Sequence, residues 1–181
     1  AEQALQQDVD GVIRALARLA TAHDEAAYYT VRAARPRGIA GRAARLIYLN
    51  KTGYNGLYRV NRAGEFNVPF GRHVRPTVLD EPNLRAASLA LREVTLVVGD
   101  FAAVSARARP GDAVYFDPPY LPLSRTSSFT AYDRHAFGDA EHARLATVFA
   151  ELASRGVAAV LSNSATPRTR ALFSGFQVTE V

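Results

Sequence analysis

The apolar run Ala113-Val114-Tyr115-Phe116 stops at Asp117-Pro118-Pro119-Tyr120, and this junction constrains the fold more than any other stretch of the chain. Proline fixes φ and lacks an N–H, so two in succession cannot continue a sheet ladder. A strand must therefore end at Asp117, with the carbonyls of Asp117 and Pro118 displayed rather than paired. The aspartate adds a charged acceptor, and Tyr120 adds a flat apolar face with a hydroxyl handle. Acceptors beside a stacking platform suit an exocyclic amine on a planar ring. Such an amine is a poor nucleophile, because its lone pair is delocalised into the ring. Two acceptors holding its N–H hydrogens turn the lone pair toward an incoming electrophile, which is catalysis by orientation and electrostatics rather than by a strong base. No histidine is required, and none of the four lies near the motif in sequence. The tetrapeptide also has a purely structural reading, as a proline-braked loop capped by Asp117. It does not by itself tell an amine of DNA from one of RNA or protein.

The sequence around this junction reads as α/β. Apolar strands are expected over Val94–Val98, Ala113–Phe116 and Val157–Leu161, with a last one over Phe176–Val181. Helices are expected between them over Leu84–Leu91, Phe101–Ala108, Ala140–Arg155 and Thr166–Phe173, with Gly156 as a C-terminal stop. Strands alternating with helices imply a mainly parallel sheet, whose ligands bind beyond the carboxyl ends of the strands. Asp100, Asp117 and Ser162-Asn163 stand at such ends.

The N-terminal half has a different texture. Val9, Val12, Ile13, Leu16, Leu19 and Ala20 recur at helical spacing, which predicts a helix over Asp8–Ala22, followed by helices over Ala26–Ala34 and Gly41–Tyr48. Asn50–Arg75 is rich in Gly, Asn and aromatic residues. It predicts a β-hairpin with arms Leu57–Val60 and Glu65–Val68 and the turn Asn61-Arg62-Ala63-Gly64. A domain of helices and hairpin over 1–92 is thus expected before an α/β domain over 93–181.

Composition narrows the classes further. With 48% hydrophobic residues in 181, the chain can bury a core, and no apolar run approaches the roughly 18 residues of a membrane span. The sequence does not open on a basic-then-apolar leader, so no secretory signal is expected from it. The absence of cysteine excludes disulfides and thiolate metal sites, and no metal is expected. A formal charge of +5 draws the chain to polyanions.

Leu49-Asn50-Lys51-Thr52-Gly53-Tyr54-Asn55-Gly56-Leu57-Tyr58-Arg59-Val60-Asn61 and Gly64-Glu65-Phe66-Asn67-Val68-Pro69-Phe70-Gly71-Arg72 resemble the target-recognition hairpin of Dam-type DNA adenine N6-methyltransferases. Asp117–Tyr120, with Leu121-Pro122-Leu123-Ser124 and Phe129-Thr130-Ala131-Tyr132, resembles their catalytic segment, and Leu161–Pro167 resembles a third block. The resemblance implies transfer of a methyl group from S-adenosylmethionine to N6 of an adenine flipped out of duplex DNA, with GATC as the target. It implies that Asp117 and the Pro118 carbonyl hold the amine and that Tyr120 stacks on the base. Asp117 would also adjoin the cofactor, whose adenine would lie near Asp100 and Phe101. It implies that Tyr54 is the wedge in the base stack, that Asn55 fills the gap beside it, and that Arg59 reads guanine. Leu57 and Pro69 would touch flanking bases, and Lys51, Arg32, Asn61, Asn67 and Arg72 would touch phosphates or support the hairpin. Structural alternatives stay open: Asn61, Gly64 and Asn67 as turn residues, Arg32 and Arg72 as solvated charges, Tyr54 as a core aromatic.

The same family carries an N-terminal Trp-Ala-Gly-Gly-Lys segment, a Phe-x-Gly-x-Gly loop after its first strand, and an acidic ribose ligand. None stands in this sequence. The expectation is therefore a partial Rossmann-like methyltransferase sheet, lacking its N-terminal cofactor-binding strands, with a helical recognition subdomain, as a piece of a longer monomeric enzyme. A cytoplasmic enzyme of a bacterium or phage, with or without a cognate restriction endonuclease, fits this reading. The alternatives are a DNA-binding module without turnover and an RNA adenine methyltransferase.

Overall fold

A computed structural model describes residues 1–122 and 137–180 and divides the chain into two compact units, Ala1–Val97 and Val98–Val181. The first is helical. α1 (Glu2–Thr21) packs on α3 (Ile39–Thr52) and α4 (Glu81–Ala90), and α2 (Glu25–Ala33) packs on α3. α1 begins six residues before the expected Asp8, but Asp8 still marks a start. Its backbone is non-helical (φ −154°, ψ 62°), and its carboxylate accepts from Gly11 N–H at 2.9 Å. Asp8 thus caps the second segment of a kinked helix, which contains the 3.6-residue apolar repeat. Asp24 and Asp80 cap α2 and α4 in the same way, accepting from Ala27 N–H at 2.7 Å and Asn83 N–H at 3.1 Å. Each such cap is worth about 1 kcal/mol.

The core of this unit runs along one stripe of each long helix, through Val12, Leu16, Tyr28, Tyr48 and Leu49, and reaches Phe66 and Val68 of the following loop region. That region falls short of the two strands expected. Its arms run antiparallel, but the pairing is limited to isolated bridges at Gly53 with Phe70 and at Val60 with Phe66. The cause is local. Pro69 has no N–H to offer a ladder, and its carbonyl accepts from Tyr54 N–H at 2.9 Å. The Val68 carbonyl is taken by side chains: the Tyr28 hydroxyl at 2.9 Å and the Arg32 guanidinium at 3.2 Å.

The second unit is a small α/β layer. β1 (Ala113–Phe116) and β2 (Ala158–Leu161) pair in parallel, with Phe116 opposite Leu161. α5 (Phe101–Ser105), α6 (Asp139–Ser154) and α7 (Pro167–Leu172) accompany them. Phe116, Leu145, Phe149, Leu152 and Phe173 form the core, with Phe149 edge-on to Phe173 at 5.6 Å. The strands expected over Val94–Val98 and Phe176–Val181 do not form among the described residues, although both segments read as apolar and β-prone. Val94, Val97, Val98 and Val178 are exposed. A strand exists only when a neighbour accepts its hydrogen bonds, and neither segment has such a partner among the described residues. Among the described residues no helix is long and apolar enough to cross a membrane.

Candidate active site and nucleic-acid interface

The parallel register brings the carboxyl ends of β1 and β2 together, so the loops that follow them meet. Ser162 N–H donates to the Phe116 carbonyl at 3.1 Å, one step beyond the last strand pair. From there three side chains hold Asp117–Tyr120. The Ser162 hydroxyl donates to Asp117 Oδ1 at 2.8 Å. Asn163 Oδ1 accepts from Leu121 N–H at 2.9 Å and from Ser164 N–H at 2.8 Å, which ties the residue after the tetrapeptide to the β2 loop. His142, on α6 and only 1% exposed, lies edge-on to Phe137 at 4.8 Å and against the Pro119 backbone. Asp117 and Tyr120 themselves are exposed, with Tyr120 at 51%. A carboxylate and an aromatic face thus point to solvent from a loop fixed at both ends.

Burial pushes the His142 imidazole below its ordinary pKa, against the opposing influence of Asp139, Glu141 and the Pro119 backbone. Among the described residues its Nδ1 has no hydrogen-bond partner, and neither does the Asn163 Nδ2. Buried polar atoms of this kind are costly unless they serve a purpose. Here the Asn163 side chain braces the loop through its other polar atom, and the His142 ring lies against Pro119. Sequence distance hid His142, which stands twenty-five residues from Asp117. A visible signal was present: His142, Leu145, Phe149 and Leu152 follow one stripe of α6, so a polar residue occupies a core position.

Asp100 and Phe101 stand at the start of α5 rather than at the end of the strand expected over Val94–Val98, and they are occupied. Asp100 caps the helix through Ala102 N–H at 2.9 Å and takes both Arg144 nitrogens, at 3.2 and 2.5 Å. That guanidinium holds the carboxyl below its ordinary pKa and lies 4.3 Å over the Phe101 ring. A cofactor adenine can use this aromatic face only if Arg144 moves. The Asp117 carboxylate is thus open to solvent, whereas the Asp100–Phe101 surface is covered by Arg144. Leu123-Ser124 and Phe129-Thr130-Ala131-Tyr132 lie outside the described residues.

In the other unit, the residues assigned to DNA sort into a braced base and an exposed tip. Tyr54, Asn55 and Gly56 form a 3₁₀ turn in which Asn55 (φ 52°) and Gly56 (φ 62°) are left-handed, a conformation Asn and Gly tolerate best. The turn carries Tyr54 at 51% and Leu57 at 47% exposure, so Tyr54 is not a core aromatic. Lys51, in the last turn of α3, and Pro69 and Arg72 are exposed as well. Arg59 lies across the arms, donating through Nε to Asn67 Oδ1 at 2.8 Å and through Nη2 to the Asn67 carbonyl at 3.2 Å. Asn61 is a turn residue: its Oδ1 accepts from Ala63 N–H at 3.0 Å and Glu65 N–H at 2.9 Å. Glu65 in turn pairs with Arg35 at 2.7 Å. Arg32 is half-buried beside Tyr29 and braces Val68, so it is no free surface charge.

The base is tight. A Cβ on Gly53 would meet the Leu49 carbonyl at 2.6 Å, and one on Gly71 would meet His73 at 2.5 Å and the Gly53 carbonyl at 2.7 Å. These two glycines let the returning arm close onto the end of α3, where Gly71 N–H donates to the Thr52 carbonyl at 2.9 Å. Tyr28, wholly buried beneath the arms, was not foreseen as part of this support.

The chain is also similar to known proteins. Residues 1–181 match the D12 class N6 adenine-specific DNA methyltransferase family. The chain is 50% identical over 123 residues to the Type II methyltransferase M.MjaIII of Methanocaldococcus jannaschii, covering 68% of this chain and 43% of that protein. It is 42% identical over 129 residues to the DNA adenine methylase of Salmonella typhi, covering 71% and 46%. It is 40% identical over 139 residues to the DNA N-6-adenine-methyltransferase of Escherichia phage P1, covering 76% and 18%. The chain spans half or less of the length of these relatives. With the whole of its length matched, this chain belongs to the family of D12 class N6 adenine-specific DNA methyltransferases.

Proposed function

We propose that the chain supplies the methyl-accepting half of an S-adenosylmethionine-dependent enzyme that methylates N6 of adenine in duplex DNA, together with the element that reads the duplex. The observation that carries this reading is the Asp117–Tyr120 loop. It is held by Ser162, Asn163 and His142, and it presents a carboxylate beside an exposed aromatic face. In this reading Asp117 and the Pro118 carbonyl accept the two hydrogens of the adenine amine, and Tyr120 stacks on the ring. A fixed loop matters because the lone pair must be aimed before reaction, and small misplacements cost about 100-fold in rate. S-adenosylmethionine, when bound, supplies an electrophilic methyl group. Asp117 borders it, and Asp100 and Phe101 contribute once Arg144 gives way.

The exposed tip of the other unit suits the second task. Tyr54 and Leu57 are placed to enter a base stack, with Asn55 beside them, and such wedges unstack a step at a cost of about a few kcal/mol that is recovered in contacts. Arg59 reads guanine, Pro69 touches a flanking base, and Lys51 and Arg72 meet phosphates. Arg32, Asn61 and Asn67 act mainly by holding the arms. The target is GATC, and the enzyme works as a monomer on cellular or phage DNA, with a cognate restriction endonuclease as an optional partner.

The test is Asp117→Ala in the complete gene product. Methylation of a GATC duplex falls by about 100-fold or more, as for loss of a preorganised polar group, while duplex affinity stays near that of the parent. Undiminished methylation removes Asp117 from the reaction.

A further inference from the structure

Asp117 is the end of a chain of side chains rather than a lone carboxylate. Tyr115 and Asp117 are two residues apart at the end of β1, so the strand's period of two puts both on one face. Phe116 faces the other way, into the core against Phe149 at 6.2 Å. Across the sheet Tyr115 pairs with Val160, which places Ser162 alongside Asp117. The Tyr115 hydroxyl donates to Ser162 Oγ at 2.9 Å, and Ser162 donates to Asp117 Oδ1 at 2.8 Å. The direction of donation is fixed. An ionised carboxylate only accepts, so the single serine proton points to Asp117 and the serine oxygen receives the tyrosine proton. Among the described residues, Asp117 Oδ2 accepts no hydrogen bond.

We propose that Ser162, backed by Tyr115, is a positioning residue that occupies Asp117 Oδ1 and so dedicates Oδ2 to the amine of the methyl acceptor. Without it the carboxylate can rotate about its Cβ–Cγ bond and can engage the amine through either oxygen, in geometries that do not aim the lone pair. The serine–carboxylate bond is charge-assisted and directional. At an exposed site its effect falls on orientation more than on stability. Tyr115 holds the serine in the rotamer that reaches Asp117, which makes its own contribution secondary. The inference rests on the methyltransferase reading for its catalytic consequence, but the conformational claim stands apart from it.

The experiment has two arms, run on the complete gene product with Ser162→Ala, Ser162→Thr and Tyr115→Phe. In the first, steady-state methylation of a GATC duplex by Ser162→Ala shows kcat lowered by about 10- to 100-fold with KM for duplex little changed. Ser162→Thr, which keeps a hydroxyl, recovers most of kcat, and Tyr115→Phe loses less than Ser162→Ala. In the second, high-resolution crystal structures show one Asp117 rotamer in the parent and Ser162→Thr, and several in Ser162→Ala. Parental kcat in Ser162→Ala, or a threonine variant no better than alanine, overturns the proposal. So does a single unchanged Asp117 rotamer in Ser162→Ala. If the parent does not methylate at all, the reaction reading fails, and the rotamer comparison alone decides whether Ser162 positions Asp117.

Discussion

The Tyr54–Arg72 region and the Asp117–Tyr120 loop are both irregular backbone on a helical or α/β support, yet they are held in opposite ways. The first is anchored from beneath. Tyr28 and Arg32 bind the Val68 carbonyl, Gly53 and Gly71 allow close approach to α3, and the tip with Tyr54 and Leu57 stays exposed. The second is clamped along its length: Ser162 on Asp117, His142 on Pro119, Asn163 on the residue after Tyr120. The contrast matches two tasks. An element that enters a flexible duplex gains from a firm base and a free end, whereas a group that aims a lone pair gains from having no freedom.

The largest expected effect tests the anchor. Leu49 is wholly buried at the end of α3, and its carbonyl also receives Gly53 N–H at 2.8 Å. Leu49→Ala costs about 2–5 kcal/mol of stability, the range for truncating a core leucine, and is measured by urea denaturation. If the arms depend on this support, duplex affinity falls with stability. Preserved affinity in a destabilised variant would show that the arms hold their shape without α3, and the contrast between anchored and clamped loops would weaken.

A smaller effect concerns the tip. Arg59 is paired with Asn67 in the free protein, so reading a base requires the guanidinium to keep or exchange those bonds. Arg59→Ala lowers discrimination against duplexes altered at the contacted guanine by about 1–3 kcal/mol, seen in competition methylation or binding assays. Asn67→Ala, which removes the side-chain acceptor, changes discrimination less. An unchanged preference profile in Arg59→Ala confines the arginine to bracing the arms.

What was legible in the sequence follows the range of each interaction. α1 to α4, α6 and both strands that formed were visible, because apolar periodicity is local, whereas the caps at Asp24 and Asp80 emerged only in the structure. Asp117–Tyr120 was visible because two prolines restrict the backbone whatever surrounds them. The strands at Val94–Val98 and Phe176–Val181 were misread because β-propensity is a property of the segment while a strand is a property of a pair. The arms at Leu57–Val60 and Glu65–Val68 failed as continuous strands because Tyr28 and Arg32, more than thirty residues earlier, take the Val68 carbonyl. The roles given to Arg32 and Asn61 shifted toward bracing for the same reason. Ser162 and Asn163 were noticed as polar groups at a strand end, but their bonds to Asp117 and Leu121 depend on the β1–β2 register, which the sequence does not display.

The smallest effect tests the clamp through His142. Its imidazole is buried, and burial lowers its pKa below the ordinary 6.5, although Asp139, Glu141 and the Pro119 backbone pull the other way. In the unfolded chain these influences are absent and the ring titrates near its ordinary value. Between the lowered folded value and the unfolded one, the unfolded state binds more protons, so stability rises with pH there. The contribution of the neutral ring is therefore complete above about pH 6.5 and is lost as pH falls below it, until the folded pKa is reached. His142→Gln keeps a polar side chain beside Pro119 without a titrating group. Subtracting the variant's unfolding free energy from the parent's across this range isolates the ring, and the difference falls as pH falls below 6.5. A flat difference would mean that the ring is as easily protonated in the fold as outside it, which its burial and its packing against Phe137 argue against. Methylation by His142→Gln at neutral pH should stay close to the parent's, because the clamp needs a polar side chain beside Pro119 and not the charge. His142→Leu, which offers Pro119 no polar side chain, should lose kcat while retaining duplex affinity, separating the brace on the loop from the anchor under the arms.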